Sequence, residues 1–204
     1  MNIRDIMQVA PVIPVLVIEK PEDAVPLATA LVEGGLKVLE ITLRSDAALE
    51  SIEKMAKSVP DAIVGAGTVN HPAQMQQVKD AGAEFVVSPG FTEALGDAAR
   101  QCAMPYLPGV MTPAEILAAN QSGLDALKFF PASQAGGPSF IKSLAGPFQD
   151  IVFCPTGGIN ADSANDYLSL AMCCVSEAHG WHHRLRSKPV NGTKLHHLLR
   201  LPRT

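Results

Sequence analysis

Two patterns alternate along most of the chain. Short β-branched runs begin near Val12 (VIPVLVI), Lys37 (KVLEITL), Ala62 (AIVGAG), Glu84 (EFVVSPG), Met104 (MPYLPG), Asp125 (DALKFF) and Ile151 (IVFCPTGG). Between them lie Ala-, Leu- and Glu-rich stretches with helical spacing, such as 22–32 and 47–56. Successive strand starts are 25, 25, 22, 20, 21 and 26 residues apart. Helix entries carry capping signals at Ser45-Asp46, at Thr92-Glu93 and at Thr112-Pro113. Gly34-Gly35, Gly82 and Gly123 are placed to close helices just before the next strand.

Seven βα units at this spacing predict a parallel sheet, either an open doubly wound sheet or a closed barrel. No GxGxxG follows the first strand, which disfavours a dinucleotide-binding fold. A barrel needs an eighth strand, which the spacing puts near residues 171–177.

The chain has 204 residues, enough for one sizeable core and short for two, and 47% of them are apolar. No apolar run reaches the ~20 residues of a membrane-spanning helix, and no signal peptide is read at the N-terminus, so a cytoplasmic protein is expected. Cys102, Cys154, Cys173 and Cys174 form no disulfide or zinc framework by spacing, and reduced thiols are the simpler reading. Charge adds a second observation. Residues 1–171 hold ten Lys/Arg against nineteen Asp/Glu, whereas 172–204 hold six against one and five of the six histidines. No linker separates the two compositions.

In barrels the chemistry sits at the C-terminal ends of the strands. Lys128 stands inside an apolar run between Leu127 and Phe129, which must face the helices, so Lys128 points into the barrel. One reading is a lysine snorkelling from a strand end. The other is a desolvated amine whose ammonium form is disfavoured, as a Schiff base requires. Glu40, Thr42 and Arg44 share one strand face, opposite Leu39, Ile41 and Leu43. They form either an internal ion pair or a carboxylate base beside a carboxylate-binding guanidinium. The loop from Gly65 to Thr68 and the segment Pro155-Thr156-Gly157-Gly158 bring amides and hydroxyls to strand ends. Gly157-Gly158, ahead of a helix near Ser163, suits an anion such as phosphate, although a Gly-Gly pair is usually just a turn.

In this order the residues resemble 2-keto-3-deoxy-6-phosphogluconate aldolase and its 4-hydroxy-2-oxoglutarate aldolase relatives. The motifs are VLEITLR (38–44), VGAGTV (64–69), SPG (88–90), LPGVMTPAE (107–115), LKFFPA (127–132), AGPF (145–148) and FCPTGGI (153–159), and the match runs from about residue 8 to 171. The resemblance implies a (β/α)₈ barrel and metal-free, cofactor-free aldol cleavage to pyruvate and glyceraldehyde 3-phosphate. The expected partners are a small-molecule 2-keto acid and a phosphorylated aldehyde, with neither nucleic acid nor membrane, and the expected assembly is a homotrimer. It makes Lys128 the Schiff-base lysine and Glu40 the acid/base. Arg44, Thr68 and Thr156 become pyruvate-carboxylate and substrate contacts, Pro89 a wall of that pocket, and Gly157 and Gly158 half of the phosphate site. A non-catalytic remnant that only binds pyruvate-like ligands is the reading from another class.

The family continues with a strand reading V-L-C-V, then a Gly-Gly-Ser-Trp phosphate loop and a last helix. This chain instead reads MCCVSEAHGW from Met172 to Trp181. One permitted codon set for that stretch, read two bases later, gives V-L-C-V-G-G-S-W. The expectation is therefore a one-base loss at or just before codon 172, dividing the chain into an aldolase barrel (1–171) and an out-of-frame tail (172–204). Residues 172–175 are expected to form a stub of the eighth strand, with that βα unit disrupted. The rival reading, a metal- or nucleic-acid-binding tail using Cys173, Cys174, His179, His182 and His183, matches no standard zinc spacing.

Overall fold

The computed structural model describes residues 1–160 and 162–173, and the backbone of 176–178. Its strands are β1 (Val12–Leu16), β2 (Val38–Thr42), β3 (Ile63–Gly67), β4 (Phe85–Val87), β5 (Tyr106–Leu107), β6 (Gly109–Val110), β7 (Ala126–Phe129), β8 (Val152–Pro155) and β9 (Ser176–Ala178). All pairings are parallel, and each of the seven expected runs yields a strand within two residues of its start. β5 and β6 are two halves of one stave. Pro108 lies between them; β5 ladders to β4, and β6 ladders to β7. Proline has no N–H to give to a ladder, which accounts for the break.

The strand order runs β9-β1-β2-β3-β4-β5 and then β6-β7-β8. Closure comes from residues just after β8's helix. Cys173 bridges Phe153 of β8, and Ser176–Ala178 pairs with Val12, Ile13 and Pro14 of β1. The result is a (β/α)₈-type barrel. Of the stub expected at 172–175, the described part is Met172 and Cys173, where Cys173 bridges Phe153, and the described ladder to β1 covers Ser176–Ala178. The family's last helix and the other four residues of the zinc-binding reading, Cys174, His179, His182 and His183, lie outside the described residues. Among the described residues no group of three His, Cys, Asp or Glu could hold a metal ion. No described helix is long and apolar enough to cross a membrane.

Eight helices are described: α1 (Ile3–Gln8), α2 (Ala24–Glu33), α3 (Ala48–Ser58), α4 (Ala73–Asp80), α5 (Glu93–Gln101), α6 (Pro113–Gln121), α7 (Gly137–Leu144) and α8 (Ala164–Leu168). Thr92 caps α5 by accepting from Leu95 N–H. Thr112 and Glu115 form a reciprocal capping box on α6, with Pro113 at its first position. The cap expected at Ser45-Asp46 does not form. α3 begins after Ala47 without a side-chain cap, and Ser45 Oγ instead donates to Ile18 O beyond the end of β1. That bond ties the β2–α3 loop to the rim of the barrel. Gly35, Gly82 and Gly123 take positive φ just after α2, α4 and α6, as their positions predict.

Strand alternation divides the core. Outward residues of β1–β5, such as Leu39, Ile41 and Val64, pack against α2–α5. Outward residues of β7 and β8, Leu127, Phe129 and Phe153, pack against Ile116, Ile141 and Leu144. The inner cluster contains Ile13, Val38, Phe85, Leu107 and Ala126 and is closed by Ile6 and Met7 of α1. Those two side chains are fully buried, each worth ~1.5–3 kcal/mol. The strand-initial residues Val38, Phe85 and Ala126 place α1 at the N-terminal end of the barrel, as a plug. An Asn2–Asp5 capping box starts it, and Arg4 ties it to Asp125 by a 3.0 Å ion pair.

Candidate active site

The opposite end of the barrel carries the polar interior. Glu40 on β2 and Lys128 on β7 are 1% and 6% exposed, and Lys128 Nζ lies 3.8 Å from Glu40 Oε1. Both point inward for the reason read from the sequence: their neighbours Leu39, Ile41, Leu127 and Phe129 belong to the outer core. The snorkelling reading of Lys128 therefore fails, because its amine is held inside the barrel.

Space for the Glu40 carboxylate comes from β3. Glu40 is in register with Gly65 and Thr42 with Gly67, but the Glu40 side chain leans one step up the barrel, towards Gly67. A Cβ on Gly67 would fall 1.9 Å from Glu40 Oε1. Gly65 serves the layer below, where a Cβ would meet the Phe85 ring at 2.3 Å. Thr42 Oγ1 donates to Leu16 O at 3.0 Å and accepts from Arg44 Nε at 3.2 Å.

Thr68 follows β3 at φ 61, a left-handed backbone that β-branched residues avoid. Pro89 is held from two sides. Gly109 packs against its carbonyl so closely that a Cβ there would be 2.2 Å away. Ser88 Oγ donates to Gly90 O at 2.7 Å and lies 2.6 Å from Tyr106 OH. Burial pushes the Tyr106 phenol up to about 12, against the opposing pull of the Ser88 hydrogen bond.

These side chains surround one cavity of about 180 Å³, walled by Glu40, Thr42, Arg44, Thr68, Pro89 and Lys128 and completed by Val15 and Phe130. The Phe130 ring centroid is 5.5 Å from Lys128 Nζ, within cation–π range. Two larger clefts, of about 630 and 380 Å³, lie elsewhere and contain none of these residues. Chemistry, not size, selects the site.

Five of the eight sequence candidates thus line one cavity: Glu40, Arg44, Thr68, Pro89 and Lys128. Thr156, Gly157 and Gly158 do not line it and form the turn next to it. Thr156 is fully buried, with Oγ1 3.4 Å from Cys154 O. Gly157 and Gly158 have φ of 100° and 74°. A Cβ on Gly157 would touch the Phe130 ring at 3.4 Å, and one on Gly158 would meet Ser133 Oγ at 2.6 Å. Phe130 is therefore the partition between the cavity and the glycine turn. The alternation that turns Lys128 inward also turns Phe130 inward, but an apolar residue gives no chemical signal. Val15 escapes notice for the same reason.

The family model described as KDPG and KHG aldolase matches residues 3–186. The chain belongs to the KDPG and KHG aldolase family. The match extends fifteen residues beyond position 171, where the motif resemblance stops. The KHG/KDPG aldolase of Escherichia coli K12 is 48% identical over 173 residues, covering 84% of this chain and 81% of that protein. Among solved structures, the 2-keto-3-deoxy-6-phosphogluconate aldolase of Zymomonas mobilis ZM4 with 3-phosphoglycerate superposes with a TM-score of 0.89 at 44% identity. It covers 98% of this chain and 93% of its own. The KDPG aldolase of Legionella pneumophila, with pyruvate captured as a covalent carbinolamine, gives 0.86 at 39% identity, covering 98% and 94%. The KDPG and KHG aldolase fold and family thus agree with the barrel, and the chain is an aldolase-family enzyme.

Proposed function

We propose that this protein is a Schiff-base aldolase that cleaves 2-keto-3-deoxy-6-phosphogluconate to pyruvate and glyceraldehyde 3-phosphate. The observation that carries this reading is the buried Lys128–Glu40 pair, 3.8 Å apart and lining the cavity. The neutral Lys128 amine adds to the substrate's carbonyl carbon, and loss of water gives an iminium. Glu40 takes the proton of the hydroxyl two carbons away. The bond between the hydroxyl-bearing carbon and the carbon next to the iminium breaks, its electron pair moves into the iminium, and the products are an aldehyde and an enamine. Glu40 then returns its proton to the enamine carbon, and water releases pyruvate from Lys128.

Arg44 is assigned to the substrate carboxylate, since a guanidinium offers that group two parallel N–H bonds. Thr68, Thr156 and Pro89 are assigned to the same half of the substrate, and Gly157 and Gly158 to half of a phosphate site. Both take positive φ in the turn after β8, and main-chain amides in such turns can bind anions. Cleavage of 4-hydroxy-2-oxoglutarate is the second reading, favoured by the double name of the Escherichia coli relative. We assign a cytoplasmic homotrimer by resemblance, to be checked by analytical ultracentrifugation and cell fractionation.

Borohydride reduction in the presence of pyruvate tests the chemistry. A covalent adduct should map to Lys128 and vanish in Lys128→Ala. Trapping that persists, or that maps to Lys142, refutes the assignment. Turnover of both substrates by the same preparation separates the two readings, and no turnover of either would leave a ligand-binding remnant.

A further inference from the structure

Arg44 is the one cation assigned to the substrate's carboxylate, and the structure gives it an orienting partner, Thr42, to which the sequence reading assigns no role. Thr42 is two residues earlier on β2, 1% exposed, and lines the same cavity. A hydroxyl has a single proton. Thr42 donates it to Leu16 O on β1 at 3.0 Å, which turns the lone pairs of Oγ1 towards the Nε–H of Arg44 at 3.2 Å. Leu16 O thus fixes the rotor, and the rotor engages one defined edge of the guanidinium. With Nε occupied, the Nη1/Nη2 edge remains for two parallel bonds to a carboxylate.

We propose that Thr42 is a positioning residue that sets the guanidinium plane of Arg44, and so the affinity for the carboxylate of the 2-oxo acid held at Lys128. This rests on the assignment of Arg44 in the proposed function. The effect belongs to binding: the carboxylate is bound alike before and after carbon–carbon cleavage, so its loss raises KM and leaves kcat nearly unchanged.

The test is a double-mutant cycle of Thr42→Val and Arg44→Ala, read as the KM for pyruvate in methyl-proton exchange, which needs no aldehyde. Valine keeps the shape of threonine and removes the hydroxyl. Thr42→Val alone should raise KM about five- to tenfold, the usual worth of one net hydrogen bond, with kcat within twofold. Thr42→Ser, which keeps the hydroxyl, should restore KM. In the Arg44→Ala background Thr42→Val should add less than twofold, because the group it orients is gone. Equal effects in both backgrounds, or a kcat loss without a KM change, would overturn the proposal. An unchanged KM in Arg44→Ala itself would remove the carboxylate assignment, and this proposal with it. Should the valine variant fail to fold, Thr42→Cys, with a weak thiol donor in the same space, runs the same cycle with the same two outcomes.

Discussion

Replacing Gly67 by alanine should cripple the chemistry while leaving the fold in place. The new Cβ would stand 1.9 Å from Glu40 Oε1, 2.6 Å from Cδ and 2.7 Å from Cγ, where ordinary contact begins at 3.4 Å. The carboxylate must therefore retreat by about 1.5 Å. It cannot do so without leaving its place beside Lys128 Nζ. Misplacing a reacting group by 1 Å costs ~10²-fold in rate, and general acid–base catalysis as a whole is worth ~10²–10⁴-fold. Gly67→Ala should thus lower kcat by about two orders of magnitude, with a smaller change in KM. The overpacking itself should cost ~1–3 kcal/mol of stability. Gly65→Ala is the matched control. Its Cβ would collide with Phe85 at 2.3 Å, a clash of similar severity one layer lower, among apolar side chains. It should lower the melting temperature comparably and lower kcat far less. Methyl-proton exchange of pyruvate, cleavage rate and thermal melting, measured on both variants, decide the matter. A folded Gly67→Ala protein with kcat within threefold of the parent would refute the claim that this glycine seats Glu40 as the proposed acid/base.

Three further outcomes are expected. Glu40→Gln should slow pyruvate methyl exchange by ~10²–10⁴-fold while borohydride trapping on Lys128 survives, and near-normal exchange would leave Glu40 as an ion-pair partner only. Burial raises the Glu115 carboxyl, but hydrogen bonds from Thr112 N–H, Met111 N–H and Thr112 Oγ1 outweigh it and hold the group below its ordinary value of 4.5. Its stabilising contribution is therefore present above about pH 4.5 and fades as pH falls towards the lowered folded value, so the melting deficit of Glu115→Gln should narrow on acidification; a deficit that widens would contradict the sign. If the proposed one-base loss is real, a chain read in the shifted frame after codon 171 should melt higher than this one and bind the phosphorylated substrate more tightly, and equal melting and equal KM would make the present tail a functional ending.

The barrel was legible because each strand had to satisfy two patterns at once. In VLEITLR and ALKFF the same alternation that buries Leu39, Ile41, Leu127 and Phe129 outward sends Glu40, Thr42 and Lys128 inward, where a charged residue is conspicuous. The helix α1 was not legible, since six residues make under two turns and show no measurable period. The misread cap at Ser45 has a related cause. A serine ahead of a helical stretch suits both capping and rim contacts, and only the chain's path past Ile18 selects the second. Thr68 at positive φ and the partition formed by Phe130 depend on tertiary geometry that neither composition nor spacing encodes.

Closing the barrel and completing its site place different demands on the residues after position 171. Closure is a backbone matter. Phe153 N–H donates to Met172 O, Cys173 bridges Phe153, and Ser176–Ala178 ladders to β1. Every residue has a carbonyl to accept such main-chain bonds and every residue except proline has an N–H to donate them, so closure places little demand on side-chain identity. Recognition of a phosphate is a side-chain and glycine matter, and Ser176 to His183 (SEAHGWHH) holds neither a Gly-Gly turn nor a serine just after one. The cavity around Lys128 draws every wall residue from Val15 to Phe130, upstream of position 171. On the proposed assignments, the pyruvate half of the substrate relies on residues before position 171 alone, and only part of the phosphate site falls after it. Schiff-base formation and methyl exchange with pyruvate should therefore survive an aberrant ending wherever the barrel folds, and the loss should fall on the phosphorylated aldehyde.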